Sequence, residues 1–250
     1  MRLKYLSVDP WSADCKNENI ERKPLYICIS GNSGVGKSTL LKKISSSLYR
    51  EDNDTISIDE KSVHHPLLQY LFDNTCNYGY LIQLNFMVQR ALLIKSWLDN
   101  GTNLIMERSH LEDYIFVNFL LKSGYITKEQ HSAYMELWKE IDILIPHPDM
   151  IVFINYPVEL SLQHLQEDEK SGIRPKEFPD ETTKEVKWIT GWHDEYQNFI
   201  EQLPDNVRER VFICNNPESI DDYCQVIEKK IDNLRRRHAS KNNSLPNNTE

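Results

Sequence analysis

Residues 24–39, PLYICISGNSGVGKST, constrain the fold more than any other part of the chain. The run PLYICIS is apolar without polar alternation, as a strand covered on both faces requires. It leads straight into glycines, a lysine and hydroxyls spaced as G-x-x-x-x-G-K-[ST]. Gly31 and Gly36 let backbone N–H groups close around an anion, and the helix starting near Lys37 adds its positive end. Lys37 reaches toward the terminal phosphates, and Ser38 offers a hydroxyl to Mg²⁺. Gly31, Asn32, Ser33, Gly34, Val35, Gly36, Lys37, Ser38 and Thr39 are thus the expected phosphate-binding segment, with ATP, ahead of GTP, the expected ligand. A chance match in a turn before a helix is the bland alternative, and the buried strand ahead of the loop argues against it.

A strand, phosphate loop and helix in that order belong to α/β proteins, so the rest of the chain should alternate. Strands are expected at 24–30, 55–59, 103–107, 150–155 and 210–214, each a short apolar run. Helical patterns fill the intervals at 37–50, 66–73, 80–99, 111–123, 128–144, 158–167, 182–203 and 217–236. The expected fold is α/β, a P-loop NTPase-type parallel sheet of about five strands flanked by helices on both faces. Its domain should span 24–236, after a polar leader (1–23) and before a flexible tail (237–250). The arginines at 235–237 are expected to cap the last helix, where cations are favoured.

Composition narrows the partners. The 250 residues are 40% hydrophobic, enough for one full core. No run of eighteen apolar residues occurs, and the N-terminus is polar from residue 7, unlike a signal peptide or membrane span. A soluble, cytoplasmic protein is expected. Five scattered cysteines without C-x-x-C pairs suggest neither disulfides nor a zinc site. The 29 basic against 38 acidic residues give a net charge of −9, which disfavours a general nucleic-acid binder.

In a parallel sheet, ligands sit beyond the carboxyl ends of the strands. Asp59 and Glu60 follow the second strand; Glu107 and Arg108 end the third. A carboxylate beside the phosphate loop can hold Mg²⁺, and the adjacent arginine can pin phosphoryl oxygens during transfer. Taken alone, a surface ion pair would account for both residues.

With GNSGVGKST, MERS after the third strand, PDMIVFINYPVELSLQ and WHDEYQNFI in this order, residues 24 to about 215 resemble the deoxyribonucleoside kinase family. That resemblance implies transfer of the γ-phosphate of ATP to the 5′-hydroxyl of a (deoxy)nucleoside. Gln83 falls where the family's glutamine pairs with the base edge, and Arg90 lies seven residues on, as in the family. Two helical turns put these side chains on one face about 10 Å apart. The carboxylate partner of the arginine falls at Asp113 or Glu112, with Asp113 preferred. Glu60 takes the place of the general base that accepts the hydroxyl proton, Asp59 competing for the role. Without the resemblance, these residues would read as ordinary helix and loop surface.

The chain also departs from the family. Phe72 stands where a tyrosine grips the sugar 3′-hydroxyl, so discrimination against sugars lacking that group should weaken. In LQHLQEDEK, which runs into the lid (about 167–184), His164, Asp168 and Lys170 stand where the family has an R-x-x-x-R-x-R cluster, with Arg174 and Lys176 as candidate substitutes. Two other readings therefore stand beside the nucleoside kinase. One is a kinase of a nucleoside monophosphate or another small hydroxylated molecule. The other is a catalytically degenerate nucleotide-binding module that engages a protein partner. His64, His65 and His110 lack metal-ligand spacing. Tyr78, Tyr80 and Phe86 are candidates for stacking on a base. Apolar helices at 80–99 and 111–123 would suit a homodimer interface.

Overall fold

The computed structural model describes residues 23–48, 54–60, 68–173, 175–178 and 182–242. Five strands, β1 (Tyr26–Gly31), β2 (Thr55–Ile58), β3 (Asn103–Glu107), β4 (Met150–Ile154) and β5 (Val211–Cys214), form one sheet in the order β2-β3-β1-β4-β5. Every pairing is parallel. Nine α-helices are found among the described residues. They are α1 (Lys37–Leu48), α2 (Leu68–Asp73), α3 (Thr75–Asp99), α4 (Asp113–Lys122), α5 (Lys128–Leu144), α6 (Val158–Lys170), α7 (Thr182–Gln202), α8 (Asp205–Arg208) and α9 (Ile220–Asn242).

Why β1 occupies the centre follows from its side chains: all six of its residues are buried. Alternate residues point to opposite faces of a strand. Ile27 and Ile29 accordingly pack with Leu40, Ile44, Ile227 and Ile231 of α1 and α9. Cys28 joins the opposite core, with Ile115 and Phe119 of α4 and Trp188 and Trp192 of α7. Two glycines let the helices of that second layer approach closely. A Cβ at Gly191 of α7 would stand 2.3 Å from the Phe119 ring, and one at Gly79 of α3 would stand 3.3 Å from Leu120. Trp188 is fully buried among Phe72, Phe119, Tyr125, Phe178 and Trp192. Truncation of a core aromatic of this kind to alanine costs about 3–5 kcal/mol.

Several boundaries differ from expectation. Helix α3 begins at Thr75 rather than 80, because Thr75 Oγ1 bonds back to Leu71 O (2.6 Å) and Gly79 is accepted where α4 packs against it. Helix α6 continues to Lys170. Helix α9 runs to Asn242, so the segment expected to be tail from 237 is helical for six residues. Arg235–Arg237 therefore lie inside the helix and do not cap it; Arg235 Nη2 instead donates to Thr55 Oγ1 (3.3 Å). Helix α4, a proposed interface element, buries Ile115, Phe116, Val117, Phe119 and Leu120 and so has no apolar stripe to offer a second copy. Among the described residues, no helix is long and apolar enough to cross a membrane.

Candidate active site

The carboxyl ends of β1, β3 and β4 lie side by side, with Gly31 opposite Ile154 and Ile29 opposite Glu107. The phosphate loop grows from this edge. Gly31, Gly34 and Gly36 all have positive φ. A Cβ would strike Ile154 O at 2.6 Å from Gly31 and Ser161 O at 2.4 Å from Gly34, so side chains are excluded by space as well as by conformation. Asn32 Nδ2 donates to Ile189 O (2.8 Å) and its Oδ1 accepts from Ser33 N (2.8 Å), which fixes the loop against α7. Val35 is anchored in the core; Ser38 is half-buried and Thr39 exposed.

Lys37 is buried and its Nζ donates to Asn32 O (2.7 Å). Burial, then the Arg108 charge, pulls its pKa down to about 8 against the opposing pull of Glu60, Glu107 and Glu112. An ammonium so poorly solvated is ready to pair with an anion. Glu107, at the tip of β3, has its pKa raised by burial, with Lys37 the main opposing influence. One of its oxygens, Oε1, is buried without a hydrogen-bond partner among the described residues, and Ser38 hydrogen-bonds the same carboxylate. An acidic oxygen left bare beside a hydroxyl suits a hard cation with oxygen ligands, so Ser38 and Glu107 fit Mg²⁺.

Arg108 has φ 63°, the one positive φ outside glycine among the described residues. Its backbone N–H donates to Ile29 O (2.9 Å), its Nε to the Tyr196 hydroxyl (3.0 Å), and Nη1 pairs with Glu60 Oε1. The guanidinium also lies 4.6 Å from the Phe116 ring centroid. Burial works against the charge, but Glu60, Tyr196, Glu112 and Glu107 outweigh it and raise the pKa above that of ordinary arginine. Tyr196 in turn donates to Glu112 Oε2 (2.9 Å), while Glu112 Oε1 accepts from Ser109 N (3.1 Å) and Cys28 Sγ (3.2 Å). Sequence reading missed this buried network. Its members come from β1, the turn after β3 and α7, and no local spacing links them.

A pocket is lined by Glu60, Phe72, Gln83, Phe86, Arg90, Arg108, Phe116 and Trp192, with Ser33 at the phosphate-loop side. A larger cleft runs along Gly34–Thr39, Glu107 and α6; Ser33, Glu60, Leu68, Phe72 and Glu177 line both, so the two spaces meet at Glu60. Arg90 is ion-paired with Asp113, both side chains almost wholly buried. Glu112, the other candidate for that pairing, is turned into the Tyr196 network. Arg90 Nε and Asp113 Oδ2 remain without hydrogen-bond partners among the described residues, as does Nε1 of Trp192, a residue that sequence analysis did not single out.

Asp59 is half-buried and lines neither space, whereas Glu60 lines both. Phe72 packs against Phe178 (4.8 Å) and Trp188 (5.5 Å). Tyr78 stacks near Tyr70 (5.0 Å) and is outside both linings; Tyr80 packs on the core, and Phe86 lines the cavity. On the lid side, His164 Nδ1 donates to Gly34 O (2.8 Å), and Glu167 and Asp168 line the cleft. Lys170 ends α6 and Lys176 is exposed; Arg174, His64 and His65 lie outside the described residues.

A parallel sheet with this loop at the end of its central strand, a buried lysine and arginine, and a pocket beside them define a P-loop kinase. The sequence pattern of the family described as "Deoxynucleoside kinase" matches residues 27–236, and the chain belongs to that family. It is 25% identical over 181 residues to the deoxyadenosine/deoxycytidine kinase of Bacillus subtilis, covering 71% of this chain and 77% of that enzyme. It is 28% identical over 181 residues to the deoxyguanosine kinase of Lactobacillus johnsonii, covering 68% and 77%. The structure of deoxyadenosine kinase from M. mycoides with bound dATP superposes with a TM-score of 0.67 at 17% identity, over 83% of this chain and all of the other. The chain is thus a phosphotransferase of the family whose members make nucleoside monophosphates from nucleosides.

Proposed function

We propose that the protein transfers the γ-phosphate of ATP to the 5′-hydroxyl of a deoxyribonucleoside, as a cytoplasmic Mg²⁺-dependent enzyme. The observation that carries this reading is the meeting of the two spaces at Glu60. A nucleoside in the pocket would present its 5′ end at Glu60, which also lines the phosphate cleft and, unlike Glu177, is paired with Arg108. Gln83 and Arg90 then address the base, with Asp113 orienting Arg90, and Phe72 packs against the sugar. A glutamine amide and a paired guanidinium offer both donors and an acceptor to a base edge.

In the reaction, Glu60 accepts the proton of the 5′-hydroxyl as that oxygen bonds to the γ-phosphorus and the bond to the β-phosphate oxygen breaks. Lys37 and Arg108 hold the phosphoryl oxygens as charge shifts toward the leaving group. Ser38 and Glu107 would hold Mg²⁺, which would supply charge neutralisation to the phosphate oxygens. Glu60 starts from an ion pair with Arg108, so entry of the hydroxyl must loosen that pair before the carboxylate can take the proton.

Phe72 supplies ring contact without a hydroxyl, which supports tolerance of sugars lacking the 3′-hydroxyl. The acids of α6 along the cleft favour keeping a second reading, a different small hydroxylated acceptor. One assay separates them: γ-labelled ATP, Mg²⁺ and a panel of deoxyribonucleosides, ribonucleosides, 2′,3′-dideoxynucleosides and nucleoside monophosphates, with Lys37→Ala as control. The expected result is a labelled deoxynucleoside monophosphate, absent in the control, with dideoxynucleosides accepted within about tenfold of their parents. Label appearing only in nucleoside diphosphates would sink the assignment. We also propose a homodimer through α3, whose exposed Leu81, Val88 and Leu92 form one stripe at helical spacing. A monomer by light scattering at micromolar concentration would remove it.

A further inference from the structure

Two residues beyond Arg108, the turn after β3 carries His110, which lines neither the cavity nor the cleft. Its imidazole is completely buried. His110 Nε2 lies 3.1 Å from Asp142 Oδ1, and His147 Nε2 lies 2.9 Å from the same oxygen. The ligand-capable atoms of all three residues lie within 4.8 Å of one another. Three separate elements supply them: the turn after β3, the last turn of α5, and the loop from α5 to β4.

Each contributor is held in place by something other than the cluster. His147 sits between Pro146 and Pro148, which stiffen its backbone and bias it toward an extended conformation. Arg210 Nη1 donates to Pro148 O (3.1 Å) and holds the far side of that loop. Trp138 Nε1, from α5, donates to His110 O (2.8 Å) and ties the turn to the helix that carries Asp142. Two imidazoles and a carboxylate are therefore brought to one point before any ligand arrives.

We propose that His110, Asp142 and His147 form a binding site for a divalent cation of the zinc type, with water completing the coordination. Tetrahedral zinc holds nitrogen and oxygen ligands at about 2.0–2.1 Å, which separates the ligand atoms from one another by roughly 3.3 Å. The two separations from Asp142 Oδ1 fall short of that by tenths of an ångström and all three atoms lie within 4.8 Å, so entry of the ion needs a small rearrangement of the cluster. Side chains of Asp142 and His147 are 27% and 31% exposed, which leaves a path for the ion and room for the water. Two imidazoles beside one carboxylate favour zinc and its neighbours over Mg²⁺ or Ca²⁺, which prefer all-oxygen sites. Burial lowers the pKa of His110, which keeps the ring in the neutral form that can ligate. Asp142 has its pKa lowered by its bonds to both histidines, although burial acts the other way. The Nδ1 of His110 has no hydrogen-bond partner among the described residues. Outer support of that kind is worth about 10–100-fold in affinity, so binding should be micromolar rather than tighter. A bound ion would cross-link the turn that carries Arg108 to the approach to β4.

The test is calorimetric titration of the full chain with zinc chloride, after EDTA treatment and buffer exchange, without nucleotide. The wild type should take up one equivalent with a dissociation constant on the order of 1 µM. Asp142→Asn and His147→Gln should each weaken binding at least about tenfold. Asp142→Asn preserves size and hydrogen bonding, so it serves if His147→Gln fails to fold; melting of the zinc-free variants reports that directly. Zinc bound equally well by wild type and Asp142→Asn would place the ion elsewhere and overturn the proposal. No uptake by folded wild type at about 100 µM zinc would reduce the cluster to a hydrogen-bonded clip and overturn it equally.

Discussion

The phosphate loop and helix α6 face each other across the cleft, and they are built by different means. The loop is a backbone device: its glycines adopt positive φ, and Asn32 braces it against α7. The α6 wall acts through side chains, and those it presents are His164, Glu167 and Asp168. Among the described residues that line the cleft, the lysines are Lys37 and Lys42 of α1, and Arg108, at the tip of β3, lines the adjoining pocket. In the proposed reaction the phosphoryl would thus be held from the side of α1 and β3, while α6 brings negative charge and one histidine bonded to Gly34 O.

The largest break in this asymmetry comes from its cationic side. Arg108→Ala should lower kcat by about 10³-fold or more, the range in which arginines that stabilise phosphoryl transfer act. A loss under about tenfold would move the burden to a residue of the lid. Reversing the acidic wall should act in the opposite sense: Asp168→Arg is expected to raise kcat by several-fold, up to roughly tenfold, by placing a guanidinium on the α6 side of the cleft. An unchanged or lower kcat would mean that the acids serve a purpose of their own. The smallest effect is one of pH. Lys37 loses its proton as pH rises through about 8. In the free enzyme, kcat/KM for ATP should therefore be about half its plateau near pH 8 and about a tenth near pH 9. Stability should move the other way, rising between the folded value near 8 and the ordinary lysine value, because there the unfolded chain binds the extra proton. A flat kcat/KM profile to pH 9 would mean that Lys37 stays charged.

How much of this could be read from the chain depends on which physics carries each part. The loop was legible because its constraint is local: glycines where a Cβ would strike Ile154 O or Ser161 O leave a mark at fixed spacing. The strands were legible for a related reason, since burial on both faces demands continuous apolar runs. Asp113 and Glu112 were not separable by spacing alone. A 3₁₀ turn at His110–Glu112 sends one carboxylate to Arg90 and the other to Tyr196, and nothing in the residue order announces it. The end of α9 was misjudged because apolar periodicity was required of it, whereas arginine, lysine and alanine continue a helix without any core to face. The cluster of His110, Asp142 and His147 and the chain of Cys28, Glu112, Tyr196 and Arg108 are products of tertiary placement, invisible until the sheet order is known.

Arg108 closes the comparison between the walls. Its φ of 63° costs on the order of 1 kcal/mol or more for a residue with a Cβ. Ile29, Tyr196 and Glu60 hold it there from three directions. A long side chain of this type ordinarily loses roughly 2 kcal/mol of rotamer freedom when fixed. Here that disorder is surrendered during folding, together with the backbone strain. In the proposed reaction the substrates would therefore meet a guanidinium whose rotamer freedom is already spent, with only its pair to Glu60 left to loosen as the hydroxyl enters.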